Sequence, residues 1–164
     1  MATSDAYINP GTKITPTISP ASVSDGAGRA SAAIAFAATE ATARPDEYRF
    51  TAKTEWVGTI AVGETLDMYL AEVSSDGTTY AGGVSAGDAT FTDEDALKNM
   101  KYLGSVVVTN TTPEQEIADF IVRVTAHSAV LVVWNSAADA SANLSATAGD
   151  HEFTFLPVPY QAQS

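Results

Sequence analysis

Between Tyr48 and Trp56 the chain alternates without a slip: Tyr48, Phe50, Ala52, Thr54 and Trp56 are interleaved with Arg49, Thr51, Lys53 and Glu55. A period of two puts one set on each face of a half-buried β-strand; on a helix the same residues would be scattered around the circumference. The pattern recurs. Leu66, Met68 and Leu70 flank Asp67 and Tyr69, and Phe120, Val122, Val124 and Ala126 flank Arg123 and Thr125. His151, Phe153 and Phe155 flank Glu152 and Thr154. Val106–Val108 and Ala129–Trp134 are continuous apolar runs instead, the mark of strands covered on both faces. Ile34–Thr39 and Asn143–Thr147 are shorter candidates, and Ser75–Gly77, Asn110–Pro113 and Gly149–Asp150 supply turn residues. About eight strands with one short helix and no repeat predict an all-β, two-sheet sandwich of jelly-roll type.

The helix is marked by its ends. Thr92 is placed to N-cap a run that opens on Asp93, Glu94 and Asp95 and closes on Lys98 and Lys101, which complements the helix dipole. Ala30–Ala43 is ambiguous, because alanine favours helix while Ile34 and Phe36 alternate; strand is the expectation taken.

Residues 1–30 differ from the rest. Pro10, Pro16 and Pro20 are three of the seven prolines, and Tyr7, Ile8, Ile14, Ile18 and Val23 follow no period. Such spacing favours an extended path and blocks helix. The expected division is an extended arm over 1–30 and a sandwich domain over 31–164. The arm can pack across its own domain or be captured by a partner. Docking on a partner is the expectation taken, with Tyr7, Ile8, Ile14 and Ile18 as partner-binding anchors through strand-like contacts.

Composition removes several functions. Twenty acidic against eight basic residues give a net charge of −12, which argues against a nucleic-acid partner. With no cysteine there is neither a disulfide framework nor a thiolate nucleophile. Val130–Trp134, the longest run of large apolar residues, is far short of the ~20 a membrane helix needs, and the first residues do not resemble a cleaved signal. No membrane partner is expected.

Catalytic motifs do not assemble. Gly83-Val-Ser85-Ala-Gly87 matches a nucleophile elbow, but that chemistry needs a strand-to-helix turn, and Ser85 lies in a glycine-rich loop. His127 and His151 lack zinc-ligand spacing, although Asp150 beside His151 could orient an imidazole. Asp88, Asp93, Glu94 and Asp95 lack the alternation and central glycine of a calcium loop, and the helix start accounts for three of them. Trp56, Trp134, Tyr69, Tyr80, Tyr102 and Tyr160 could stack on a sugar; core packing is favoured for most, and Tyr80 in its loop is the best exposed candidate. Neither an enzyme, a metal nor a cofactor is expected.

Several stretches share a texture: Leu66–Tyr80, Lys98–Val108, and Asp119–Ala126 with Val130–Asn135, followed by Leu144–Thr147 and a strand ending Leu156-Pro-Val-Pro159. Together they resemble small virion proteins of tailed bacteriophages, over about Tyr48 to Pro159. The resemblance implies a jelly-roll module that decorates or cements the outside of a capsid, made in the host cytoplasm and assembled onto the virion. Its implied partners are the major capsid protein or other virion subunits, and its implied assembly is a homotrimer. It assigns no binding residue. Two alternatives stay open: a tail, neck or baseplate component, and a carbohydrate-binding module using Tyr80 and Trp56.

Overall fold

A computed structural model describes residues 12–36, 46–110, 115–138 and 142–158. Over these residues the chain forms β1 (Gly28–Ala30), β2 (Ile34–Ala35), β3 (Glu47–Val57), β4 (Thr65–Glu72), β5 (Ala89–Phe91), helix α1 (Glu94–Leu97), β6 (Lys101–Val107), β7 (Gln115–Arg123), β8 (Ser128–Asn135), β9 (Asn143–Leu144) and β10 (Glu152–Pro157). The larger sheet runs β5-β1-β8-β4-β6, with β2 also on β8; the smaller runs β10-β3-β7, with β9 on β3. Every pairing is antiparallel. Consecutive strands β3 and β4 lie in different sheets, as do β7 and β8, yet β3 pairs with β7 and β4 with β8. This interlock fixes a two-sheet sandwich. The same pairing does not establish jelly-roll order, since β1 and β10 lie in different sheets.

The inward positions of both sheets meet in one core that includes Phe50, Trp56, Leu66, Met68, Leu131 and Phe155, all buried. Phe36, Tyr48, Phe50 and Phe155 form a ring cluster, with centroids 4.6 Å apart for Phe50–Phe155 and 5.1 Å for Phe36–Tyr48. Such pairs add about 0.5–1.5 kcal/mol each to their area burial.

A second, smaller core covers the outer face of the larger sheet. The excursion between β4 and β6 folds back so that Val84, Phe91, Ala96, Leu97 and Met100 lie over Ala30, Ala71, Val130, Val132 and Trp134. Hence β8 is apolar on both faces, and from Ala129 to Asn135 all of it is buried. The same expectation fails at β6, an edge strand, where Val107 is exposed. Helix α1 is a single turn. Its N-cap is Asp93 rather than Thr92; the Asp93 carboxylate accepts the Ala96 N–H at 3.2 Å.

The arm is where the structure departs most from the sequence reading. Over residues 12–30 it is part of the sandwich. Ile14 exchanges two backbone hydrogen bonds of 2.8 Å with Phe155 and so covers the outer edge of β10. Pro16, Pro20 and Val23 are buried, and β1 is an internal strand between β5 and β8. The expected boundary at Ser31 therefore cuts the fold one residue after β1. Asp88 fastens this traverse. Its carboxylate accepts from Ser19 N, Ser19 Oγ and Arg29 Nε, each at 2.8 Å, while Arg29 Nη2 donates to its carbonyl at 2.6 Å.

Candidate functional site

Of the four expected anchors, Tyr7 and Ile8 lie outside the described residues. Ile14 and Ile18 are half-buried and pack against their own main core. Ser85 sits in an exposed loop that leads into β5, not into a helix. His151 places Nε2 2.9 Å from the Ser145 carbonyl, and His127 uses its carbonyl to accept the Phe36 N–H. The four clustered acids part company: Asp88 holds Arg29, Asp93 caps α1, Glu94 opens its first turn, and Asp95 pairs with Lys98 at 2.5 Å. Among the described residues no three metal-ligating side chains converge. Trp56 is fully buried and Trp134 nearly so, while Tyr80 is half-buried with its hydroxyl 3.3 Å from Ser128 Oγ. The expected Tyr80–Trp56 platform does not form, because Trp56 is inside the core.

A different tyrosine pair has one exposed ring. Tyr69 of β4 and Tyr102 of β6 are cross-strand partners with ring centroids 5.3 Å apart, and Tyr102 is 54% exposed. Tyr102 and Ser105 share a hydroxyl hydrogen bond, Ser105 Oγ donates to Asp67 Oδ1, and Ser136 Oγ donates to Asp67 Oδ2. Beside them a shallow cavity of about 180 Å³ is lined by Tyr69, Glu94, Leu97 and Lys98. Burial, then the nearby Asp67 carboxylate, pushes the Tyr69 hydroxyl up from its ordinary value, so it stays a neutral donor.

The outer face of the smaller sheet is the other open surface. Register places Arg49 opposite Ile121, Thr51 opposite Asp119 and Lys53 opposite Ile117, all pointing away from the core. Ile117 and Ile121 are 65% and 67% exposed, the two most exposed large apolar side chains among the described residues. Between them Asp119 accepts from Arg49 Nη2 and Thr51 Oγ1, and those hydrogen bonds, Arg49 first, hold its carboxyl below the usual range. Outward charges on β3 and β7 balance: Arg49, Lys53 and Arg123 stand against Glu47, Glu55 and Asp119. On a molecule of net charge −12, this patch carries none of the excess. Sequence alternation missed it because the two isoleucines occupy the polar phase of their strand.

No family model and no curated protein matches the chain.

Proposed function

We propose that this chain is a non-enzymatic structural subunit that docks on the outside of a protein shell, as the decoration or cement proteins of tailed-phage capsids do. The observation that carries the reading is the β3–β7 face, where exposed isoleucines sit on a charge-balanced surface. Protein interfaces are depleted in net charge at their centre, and a −12 molecule has little such surface to offer. The acidic remainder suits a position in solvent, away from packaged DNA that would repel it. The partner is the major capsid protein or another virion subunit; a tail, neck or baseplate position would use the same face. With Ile14 and Ile18 occupied by their own core, Tyr7 and Ile8 remain as arm anchors. A mass-spectrometric inventory of purified particles tests this. The chain should be present, and the Ile117→Lys/Ile121→Lys variant depleted; absence of the wild-type chain overturns the reading.

One observation favours a second reading. The exposed Tyr102 ring beside Tyr69, with Asp67, Ser105 and Glu94 close by, has the aromatic and hydrogen-bonding groups a sugar ring requires. A glycan array run with the wild type and Tyr102→Ala decides it: binding by the wild type alone supports a carbohydrate module, and binding by neither removes it.

A further inference from the structure

A β-sheet edge is sticky unless something covers or disrupts it. Among the described residues, three of the four edges are dealt with. Ile14 hydrogen-bonds along β10, β5 is only three residues long, and β6 carries a bulge where its register with β4 shifts between Met68 and Tyr69. Strand β7 is nine residues long and pairs on one side only.

The direction of its backbone groups follows from the register. Glu47 faces Arg123, so the next pair beyond the strand is Asp46 with Val124, and there the Val124 N–H donates to the Asp46 carbonyl at 2.7 Å. In an antiparallel ladder every second pair is hydrogen-bonded. The even-numbered residues of β7 therefore bond to β3, and the odd-numbered ones point their N–H and C=O groups outward. The Arg123 carbonyl confirms the parity, since it is capped from outside the sheet by the Lys101 ammonium. Between the ends of the strand, the backbone groups of Ile117, Asp119 and Ile121 have no partner among the described residues.

We propose that a second copy of this chain pairs with that edge, β7 against β7, antiparallel about a two-fold axis through Asp119, and this assignment rests on reading the face as a protein-docking surface. Three observations choose this occupant. The outward sequence Ile117–Asp119–Ile121 is its own reverse, so the axis sets each Ile117 against Ile121 of the second copy. Asp119 already carries the Arg49 guanidinium, so the two carboxylates meet at the axis with their counter-charges. The face is charge-balanced, so two −12 molecules can approach there without the repulsion they meet elsewhere. Odd residues face odd residues in this register, which is the hydrogen-bonded phase. The smaller sheet then continues unbroken across both copies. Such an isologous contact closes at two, in place of the three-fold assembly implied by the resemblance.

The test is light scattering on the full chain at micromolar concentration, together with hydrogen exchange at the β7 amides. The wild type should run at twice the chain mass, and Ile117→Lys/Ile121→Lys at the chain mass with an unchanged far-UV circular dichroism spectrum. The amides of Ile117, Asp119 and Ile121 should be protected in the wild type and lose that protection on dilution. This second readout needs no variant, so a variant that misfolds leaves the pairing testable. A wild type at one or three chain masses overturns the pairing, as does a dimer in which those three amides exchange freely at every concentration. If the wild type is monomeric yet present on particles, and the double variant is depleted from them, the face serves the shell directly. The docking reading then survives and the second copy does not.

Discussion

Replacing Asp88 by asparagine should cost about 1–2 kcal/mol near neutral pH and almost nothing in strong acid. Asp88 is a non-glycine residue with positive φ (43°), and asparagine is among the few residues at ease there, so the substitution removes charge without backbone strain. What is lost is the anionic acceptor of Arg29 Nε and of Ser19, in a pair whose side chains are only 26% and 24% exposed. The Arg29 hydrogen bond, helped by Ser19 and opposed by burial, lowers the Asp88 carboxyl from 3.8 to about 2. At 1.36 kcal/mol per unit, a gap of about 1.8 gives an upper bound near 2.4 kcal/mol, which solvent reaching the pair reduces to about 1–2. The sign follows from the direction. A depressed carboxyl stabilises the fold fully above its unfolded value of 3.8, and that contribution is lost as pH falls through about 2. Lowering the pH carries the chain from −12 through neutrality near its pI of 4.2 to a positive charge on its eight lysines and arginines and two histidines, so self-repulsion is least near pH 4.2 and returns below it.

The assay is urea unfolding followed by circular dichroism, for wild type, Asp88→Asn, Arg29→Met and the double variant, from neutral pH down to about pH 2. The deficit of Asp88→Asn should shrink steadily below pH ~4, and the double variant should cost less than the sum of the singles. A deficit that is the same at both ends of the range would mean that packing, not charge, holds the knot. No deficit at any pH would mean that residues 12–30 are held without it.

Three further outcomes follow. A chain beginning at Ser31 should not unfold cooperatively, because it lacks β1, Val23 and the cover on β10; one beginning at Thr12 should, and circular dichroism melts distinguish them. Gly104→Val should lose at least about 1–3 kcal/mol in denaturant titration, since a Cβ there would run into the Phe120 ring and the positive φ of 149° strains any side chain; a Phe120→Ala background should recover only the part due to the clash. Ser85→Ala, on an exposed loop, should leave stability within about 0.5 kcal/mol of wild type and particle association unchanged.

The strands that could be read were those whose alternation matches their burial. In β3 the apolar phase from Tyr48 to Trp56 is the buried phase, and in β10 Phe153 and Phe155 face the core. Alternation shows strand β7 only from Phe120 onward, because its first half puts Ile117 outside and Glu116 and Ala118 inside. The same inversion hid the candidate site. β1 was illegible for another reason: Gly-Arg-Ala has almost no strand propensity. It is a strand because Gly28 lacks a side chain. A Cβ there would lie 2.5 Å from the Val133 carbonyl and 2.9 Å from the Trp134 ring, so only glycine lets β8 approach. The prolines misled in the same way. Pro16 and Pro20 do forbid helix, but an extended path along a domain's own surface satisfies them as well as a path to a neighbour.

Why the chain should assemble through the smaller sheet can be argued from what it spends on the larger one. A two-sheet sandwich has two outer faces, and an acidic solvated coat would be enough to keep both apart from other proteins. Here one outer face is instead apolar along β8 and is roofed by Phe91, Leu97 and Met100, with Gly82 at +69° leaving room for Met100 beneath the turn. The excursion that builds this roof spans the whole connection from β4 to β6 and adds a second core without adding a long strand. Its effect is to seal the larger sheet, leaving the short β5 and the bulged β6 as edges that present poor templates. Among the described residues nothing comparable covers β3 and β7. Their outward residues are neither fully apolar, which would demand a roof, nor strongly acidic, which would repel a partner. A face with isoleucines on either side of the Arg49–Asp119 pair is stable in water and can be buried around its centre without stranding Asp119, which keeps Arg49 and Thr51 when solvent leaves.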